Sequence, residues 1–570
     1  MQATELSIVR GIPLEDEPGQ GALTIPGYLR EVTGRYADRE AVVMHGPDGV
    51  VRWTYRELWE QSLAVAKALI AAGVGKDSRV GILMVNRPEY LAALFGTAMA
   101  GGCSVALSTF STTDELKHLL TVSNISVLLF DRQVLKKDFA AMLRELEPAI
   151  ADAAPGALRS TSFPYLERLV ELRPATHAGE HSPPPTGAIE TWEAFVPTGA
   201  DVPTALVEAR ADSVSPGDIG GLFFSSGTTS LPKGILHAQR AFTIQWWRWP
   251  RVLCVREPAR SWTGNGFFWS GNVTMIVGTA LSTGGAVILQ ATFEAESALR
   301  LMEAERVTLV NGRPHQWARL QAAPNWAETD LSSLRYITKG ELMMEHPTVD
   351  SDWQLPNSYG NTETMTISTS FDSDTPAERY AGSFGGALPG NLMKIVDPRT
   401  GAPMPVGERG ELCIKGPTMM LGYLGKTVEE TFDDEGYFRT GDGGYVDAEG
   451  RLFWEGRLND IIKTGGANVS PEEVDTVIAT YPGVKRAQTV GVPHPTLSEM
   501  VVSCIVPVDG ETLDEAAVVA YLKERLASFK VPRKVLFFAE EDFALTGNEK
   551  VKTAELRNAA VARLGELTAA

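Results

Sequence analysis

One segment combines small hydroxyl residues, a glycine and a lysine in a pattern suited to holding a phosphate. An apolar run that begins at Leu222 leads into residues 225–234, whose sequence is SSGTTSLPKG. Small residues leave backbone N–H groups free to approach an anion, hydroxyls can donate further hydrogen bonds, and a lysine supplies positive charge. The predicted phosphate-binding residues are Ser225, Ser226, Gly227, Thr228, Thr229 and Lys233.

Three polar segments further along the chain can be interpreted together with this predicted phosphate loop. Residues 359–363 read YGNTE, residues 438–442 read FRTGD, and residues 456–463 read GRLNDIIK. Taken alone, the first segment is equally a surface turn and the third an ordinary surface ion pair.

In this order, and with the C-terminal segment LTGNEKVK at 545–552, the motifs resemble those of the adenylate-forming enzymes. That superfamily includes acyl-CoA and aryl-CoA synthetases, beetle luciferases and the adenylation domains of peptide synthetases. The resemblance extends from about residue 22 to residue 557 and is strongest toward acyl-CoA synthetases. Four positions depart from the usual pattern: Ser225 replaces Thr, Ser230 replaces Gly, Asn459 replaces Asp or Lys, and Glu549 replaces the Gly before the lysine at 550.

The resemblance implies a role for each motif residue in binding ATP. The Tyr359 ring stacks near adenine, Thr362 contacts the α-phosphate, and Glu363 binds Mg²⁺. The remaining nucleotide-binding residues that it implies are Gly360, Asn361, Asp442 for the ribose hydroxyls, Arg457 for the ribose or phosphate, and Lys550 as the adenylation lysine.

For the second half of the reaction, the resemblance implies a small C-terminal domain that rotates on a hinge at Asn459. Rotation removes Lys550 and presents Lys463, Gly465 and Gly466 to CoA. Two adjacent glycines leave room for the pantetheine arm to pass against the backbone, although a plain tight turn would use the same residues.

The acid-binding site is predicted at residues 267–271, with sequence FFWSG, and at Gly340. Members that activate amino acids carry an Asp in the first of these places, and many acyl-CoA synthetases carry a His. Here Phe267, Phe268 and Trp269 offer no charge, so an ammonium group would be desolvated without a partner. Seven aromatic residues at positions 246–269 suit a bulky apolar acid, and we expect two or three of them to touch it while the others form core.

These residues predict an ATP-dependent carboxylic acid–CoA ligase that forms acyl-AMP and pyrophosphate and then transfers the acyl group to CoA. A carboxylate nucleophile is already ionised at neutral pH, which agrees with the lack of a catalytic Ser, His and Asp constellation in these motifs. The alternatives are a ligase that loads an acyl carrier protein, a luciferase-like oxygenase, and a non-catalytic binding protein on the same fold.

Length and composition limit the number of domains, the partners and the cellular compartment that we expect. The 570 residues exceed one ordinary core, and 71 acidic against 52 basic residues give a formal charge of −19 that disfavours nucleic acid as a partner. Four cysteines without CxxC spacing fit a reducing compartment, and neither a secretory signal nor a membrane span is evident, so the sequence predicts a cytoplasmic protein.

Alternating strand and helix patterns predict an α/β protein. The expected architecture is a large N-terminal domain, residues 1–458, of parallel-rich α/β layers with a small antiparallel β unit, followed by a small mobile α+β domain, residues 459–570. We expect residues 174–211, which are rich in Pro and Gly, to be a surface connection. The predicted strands are at 79–85, 101–107, 127–130, 285–289, 309–311, 334–337, 410–415, 452–455, 487–492, 501–506 and 534–538, and the predicted helices at 88–100, 113–123, 295–305, 471–479 and 513–526.

Overall fold

A computed structural model of the chain shows mixed sheets flanked by helices, as the strand and helix alternation predicts. The structure describes residues 5–47, 49–175, 185–225, 232–338, 346–355, 357–380, 382–458, 460, 462–464, 467–494, 497–526, 530–543 and 551–569.

The largest sheet has eight strands, and its first six run parallel before two antiparallel strands complete it. Most residues of its parallel strands are buried on both faces, as parallel sheets between helices require, and β4, β6 and β9 are rich in Val, Leu and Ile. In spatial order they are β10 (Ile189–Thr191), β9 (Arg168–Leu172), β6 (Ile125–Asp131), β4 (Arg79–Leu83), β5 (Cys103–Ala106), β11 (Ile219–Ser225), β12 (Lys233–Ala238) and β20 (Gly422–Tyr423).

A second sheet has five strands, of which four are parallel and the edge strand antiparallel. In spatial order these are β15 (Leu309–Asn311), β13 (Arg260–Thr263), β14 (Ala286–Leu289), β2 (Glu40–Gly46) and β3 (Gly49–Thr54). Together with the eight-stranded sheet, it makes the parallel-rich part of the predicted N-terminal domain.

The predicted antiparallel β unit is a third sheet, which also has five strands. They are β1 (Ile8–Arg10), β18 (Leu392–Val396), β19 (Gly410–Lys415), β21 (Phe438–Val446) and β22 (Leu452–Arg457). Pairing of β1 with β18 brings the start of the chain to a unit made otherwise from residues beyond 390. Two short hairpins are separate: β7 (Gln133–Val134) with β8 (Lys137–Asp138), and β16 (Thr369–Ser370) with β17 (Gly386–Ala387).

The C-terminal part has its own sheet and its own apolar clusters. A long antiparallel hairpin forms its centre, and one parallel strand lies beside it. The strands are β23 (Ile462–Thr464), β24 (Ala467–Val469), β25 (Val484–His494), β26 (Ser498–Pro507) and β27 (Lys534–Phe537). The division at residues 458 and 459 stays a prediction, because Asn459 lies outside the described residues.

Several helices begin at side-chain caps that the sequence encodes. Thr54 and Thr112 each form a capping box with a Glu three residues later, and Ser470 and Asp514 cap two C-terminal helices. The α-helices are α1 (Ile25–Tyr36), α2 (Tyr55–Ala71), α3 (Pro88–Met99), α4 (Thr113–Ser123), α5 (Phe139–Leu146), α6 (Trp192–Phe195), α7 (Thr204–Asp212), α8 (Gln239–Val252), α9 (Ser270–Asn272), α10 (Gly278–Ser282), α11 (Ala295–Ala304), α12 (Pro314–Gln321), α13 (Ala377–Tyr380), α14 (Pro471–Ile478), α15 (Glu515–Lys523) and α16 (Thr553–Ala569). Val273–Val277 is a π-helical turn, and 3₁₀ turns occupy Leu14–Asp16, Pro148–Ala151, Val196–Gly199 and Glu540–Asp542. Among the described helices, none has both the length and the apolar character needed to cross a membrane.

Two predictions about local structure are wrong. Residues 334–337 form one isolated bridge, Leu309 with Tyr336, instead of a strand, because only that residue reaches the edge of β15. The connection at 174–211 contains β10, α6 and α7, since Ile189 and its neighbours extend the parallel sheet beyond β9. The other predicted elements are confirmed, with ends that differ by a few residues.

Candidate active site

The predicted phosphate loop connects two paired strands. β11 and β12 are antiparallel, and their last pair is Ser225 with Lys233, so the segment between them closes a hairpin. The Pro232 carbonyl oxygen lies 3.1 Å from Nε2 of His118 on α4, which fixes the end of the loop. Ser226, Gly227, Thr228 and Thr229 lie outside the described residues.

The segment 359–363 is a tight turn whose shape depends on its second residue. A Cβ atom at Gly360 would lie 1.4 Å from the Thr366 carbonyl oxygen, so only glycine fits. The Asn361 N–H donates to Thr364 Oγ1 at 3.0 Å, and the Thr364 N–H donates back to Asn361 Oδ1 at 2.9 Å. Thr366 has φ 84°, an uncommon value for a β-branched residue, which this reciprocal bonding helps to hold.

Tyr359, Asp442 and Arg457 come together although each lies in a different predicted motif. Asp442 on β21 is opposite Arg457 on β22, and Arg457 Nε lies 3.1 Å from Asp442 Oδ1. The Tyr359 hydroxyl donates to Asp442 Oδ2, and Arg457 Nη1 donates to the Thr440 carbonyl at 2.9 Å. Burial, together with the neighbouring carboxylate, raises the pKa of Tyr359 far above its ordinary value. Asp442 is 3% exposed, and each of its two carboxylate oxygens has a donor.

A residue that the sequence analysis missed connects two other motifs. The Tyr423 hydroxyl donates to Glu363 Oε1 at 2.8 Å, and Lys233 Nζ lies 5.7 Å from the centre of the Tyr423 ring. The Met420 N–H donates to the Glu363 carbonyl at 2.7 Å, which holds the backbone of the same residue. Tyr423 reaches this place because β20 pairs with β12. No local sequence signal marks that long-range pairing.

A buried histidine lies beneath the same turn. His237 on β12 is fully buried, its ring lies 6.1 Å from that of Phe223, and the Thr362 carbonyl is close to it. Burial lowers its pKa to about 4, so the imidazole is neutral at physiological pH. The sequence analysis did not single out His237, because a position in an apolar strand gives no sign that the residue lies near Thr362.

Two side chains that follow β4, one in the loop after it and one on α3, fix the backbone of the aromatic motif. The Phe267 N–H donates to Asn86 Oδ1 at 3.0 Å, and the Tyr90 hydroxyl donates to the Phe267 carbonyl at 3.1 Å. Phe267 is fully buried, Phe268 is 4% exposed, and Trp269 is partly exposed. The two outer rings are 5.0 Å apart. Gly340, the remaining predicted acid-binding residue, lies outside the described residues.

The other aromatic residues of the 246–269 region pack in the core. Trp246 and Trp247 lie 4.6 and 4.7 Å from the Tyr28 ring on α1, and the Trp246 indole N–H donates to the Val273 carbonyl. Trp262 belongs to a separate cluster beneath the five-stranded mixed sheet. Core packing is therefore the observed environment of these three residues.

Among the C-terminal residues of the predicted site, Lys463 is described and exposed on β23. Its backbone N–H donates to Glu499 Oε2 at 2.8 Å. Lys550, Asn459, Gly465 and Gly466 lie outside the described residues, so their roles remain predictions. Lys552, a nearby lysine, forms an ion pair with Glu555 at 3.0 Å.

Comparison with known proteins gives two family matches along the chain. The family of AMP-binding enzymes matches residues 29–424, and the C-terminal domain of AMP-binding enzymes matches residues 473–550. A feruloyl-CoA synthase of Amycolatopsis is 31% identical over 92% of this chain and 96% of its own length. A Mycobacterium tuberculosis CoA ligase, named for a methyl-dioxo-octahydroindenyl propanoyl substrate, is 32% identical over 90% and 95%.

A solved structure of the anthranilate CoA ligase AuaEII matches with a TM-score of 0.78 at 23% identity, and covers 97% of this chain and 100% of that one. This match confirms a mixed α/β fold with a large N-terminal and a small C-terminal domain. The family matches agree with the order of the motifs that the structure brings together. The chain therefore belongs to the AMP-binding, adenylate-forming enzymes, and within them it is an AMP-forming acid–CoA ligase most like the acyl-CoA synthetases.

Proposed function

We propose that this ligase activates a bulky apolar carboxylic acid, cyclic, polycyclic or long-chain, as the acyl-adenylate and transfers the acyl group to CoA. The observation that carries the substrate class is the uncharged aromatic motif, whose backbone is fixed by Asn86 and Tyr90. A buried surface of this kind attracts apolar groups and gives an ammonium group no partner. The two relatives above are named for an aromatic acid and a bicyclic acid, which supports the same class.

In the first half-reaction, the acid's carboxylate attacks the α-phosphorus of ATP and pyrophosphate leaves. Asp442 accepts hydrogen bonds from the ribose hydroxyls, and the partners that it already has, Tyr359 and Arg457, keep it oriented. Thr362, Lys233 and the residues 225–229 bind phosphate oxygens, while Lys550 offsets the charge that develops in the transition state. All of these groups stabilise charge, since the nucleophile needs no base.

Glu363 is the residue that would hold Mg²⁺ beside the phosphates. It fits that ion, because Mg²⁺ takes one or two carboxylates together with phosphate oxygens and water, and Glu363 is a partly exposed carboxylate. Tyr423 orients one of its oxygens. When bound, the cation would neutralise phosphate charge.

In the second half-reaction, the CoA thiol attacks the acyl carbonyl and AMP leaves. Lys463, Gly465 and Gly466 would then face CoA after rotation about Asn459. We expect Lys550→Ala to abolish pyrophosphate release that depends on the acid, while synthetic acyl-adenylate is still converted to the thioester. Equal loss in both half-reactions would assign the adenylation role elsewhere, with Lys552 the next candidate.

A panel of acids tests the substrate class. Acetate, benzoate, ferulate, decanoate, an octahydroindenyl propanoate and several amino acids would each be incubated with ATP, with and without CoA, while pyrophosphate and thioester are measured. Each buried methylene is worth about 0.8 kcal/mol, so we expect kcat/KM for the larger apolar acids to exceed that for acetate by orders of magnitude. A clear preference for acetate or an amino acid would overturn the proposal. Adenylate formation with transfer only to a carrier protein would identify the alternative acceptor.

A further inference from the structure

The loop at residues 108–112 lies between the nucleotide motif and the aromatic motif. It follows β5, which runs parallel to β11 with Ser104 opposite Gly221 and Val105 opposite Leu222. Both strands therefore end at the same edge of the sheet, and the loop leaves β5 beside the point where Ser225 begins the phosphate loop. An acyl-adenylate has its acyl group and its phosphate joined in one molecule, so a residue between these motifs is close to both.

Phe110 extends the aromatic motif outward to the surface. Its ring meets the Phe268 ring edge-on, with centres 5.6 Å apart and planes at 86°. Phe268 is 4% exposed, whereas Phe110 is 56% exposed. Aromatic surface thus runs from a buried ring to a ring that is open on its outer face.

The exposure of Phe110 is imposed by anchors on both sides of it. The Lys137 ammonium on β8 donates to the Thr109 carbonyl at 3.4 Å and to the Ser111 carbonyl at 2.8 Å. The Phe110 N–H donates to Ser108 Oγ at 3.1 Å. Partial burial lowers the pKa of Lys137. Thr112, which follows Ser111 in the loop, caps the N-terminus of α4.

We propose that Phe110 is a further acid-binding residue, the outer wall of the acid site, and that it sets the preference for large acids. The inference rests on the proposed function of the adjacent aromatic motif. A bulky acid lying against Phe268 covers the open face of Phe110 and removes apolar surface of both partners from water. A short acid ends before it reaches Phe110 and gains nothing from it.

The test compares Phe110→Ala with Phe110→Leu and with Tyr165→Ala, a matched removal of another exposed aromatic ring, which is 58% exposed. For the wild type and each variant, kcat/KM is measured for straight-chain acids from acetate to decanoate and for the octahydroindenyl propanoate, with KM for ATP and for CoA. We expect Phe110→Ala to lower kcat/KM for the largest acids about 10-fold, through KM, with acetate and ATP unchanged. Phe110→Leu should keep most of the preference, and Tyr165→Ala all of it.

Two results would overturn the inference. An equal loss for all acids would mean that Phe110 only holds the loop, and a change confined to KM for CoA would assign it to the thiol substrate. The wild-type panel alone tests the proposed function, whereas the ratio of variant to wild type, acid by acid, tests Phe110. Lys137→Met gives a second test: releasing the loop should weaken the preference for large acids in the same direction as Phe110→Ala.

Discussion

Two carboxylates, one in each part of the chain, have opposite surroundings: Asp442 is buried, and Asp475 is half-buried with its Oδ1 atom shielded from solvent. Asp442 in the antiparallel unit is 3% exposed and faces a guanidinium and a phenol. Asp475 on α14 accepts a hydrogen bond at its Oδ2 from the neutral amide of Gln488, at 3.2 Å. Burial raises the pKa of Asp475 to about 7, although the nearby Thr489 acts to lower that pKa. Its other oxygen, Oδ1, is buried and has no hydrogen-bond partner among the described residues.

The difference agrees with the proposed roles, in which Asp442 binds the ribose and Asp475 serves the fold. A carboxylate with a cation beside it stays ionised and can accept further donors from a ligand. Burying an ionised carboxylate that has only neutral donors costs free energy, so the pKa of the group rises. Such a carboxylate stabilises the folded state most when it is protonated. The following substitutions test this contrast.

The largest effect is expected for Asp442→Asn. It should lower kcat/KM for ATP about 10- to 150-fold, since a hydrogen bond to a charged group contributes about 1.5–3 kcal/mol. The melting temperature should change little, because Arg457 is half exposed and can be solvated after the charge is lost. Pyrophosphate release at varied ATP concentration measures the first quantity, and Asp434→Asn, an exposed carboxylate of the same domain, is the control. Unfolding without loss of ATP binding would contradict the contrast.

An intermediate effect, on stability instead of activity, is expected for Asp475→Asn. Between about pH 4 and 7 the native state keeps the proton that the unfolded chain has released, so wild-type stability should fall as pH rises through this window. The slope is at most about 1.4 kcal/mol per pH unit. The variant should lack this slope and be more stable than the wild type at pH 8. Urea unfolding from pH 5 to 8 measures it, with exposed Asp509→Asn as the control.

The smallest effect is expected for Tyr359→Phe. This change removes one donor to Asp442 but keeps the ring, so we expect a loss of about 1 kcal/mol, roughly a fivefold rise in KM for ATP, with kcat nearly unchanged. Steady-state kinetics at saturating acid and CoA measures it. A fall in kcat of a hundredfold or more would give the hydroxyl a role beyond orienting Asp442.

The sequence predicted best the features that are written locally. Helix α4 begins where Thr112 and Glu115 form a capping box and ends at Asn124, whose left-handed conformation closes it, so both ends were predicted to the residue. The motifs at 225–234, 359–363, 438–442 and 456–463 could be recognised because each is contiguous, and their roles in nucleotide binding stay predictions. Tyr423 and Phe110 were missed because their positions depend on strand pairings that join distant parts of the chain.

Burial of individual charges was the least predictable property. Asp475 follows two exposed glutamates in a short acidic helix, a pattern typical of a solvated face. The helix packs on β25, and Asp475 lies four residues after buried Pro471 and three before buried Ile478, so its Oδ1 atom is turned away from solvent. Similarly, the contact of Arg457 with Asp442 follows from the register of β21 and β22, which no single motif specifies.

Gly360 limits how this sequence can change over evolutionary time. Because the Thr366 carbonyl occupies the space that a side chain would need, replacement of this glycine by any other amino acid is incompatible with the observed turn. Gly441 differs: it has φ 72°, but a side chain there would meet only the Arg457 guanidinium at 3.6 Å, so Asn and Asp are accessible replacements. Among diverging copies of this gene, loss of glycine at 360 would mark a lineage in which this turn has been rebuilt, whereas a change at 441 would require no such rebuilding.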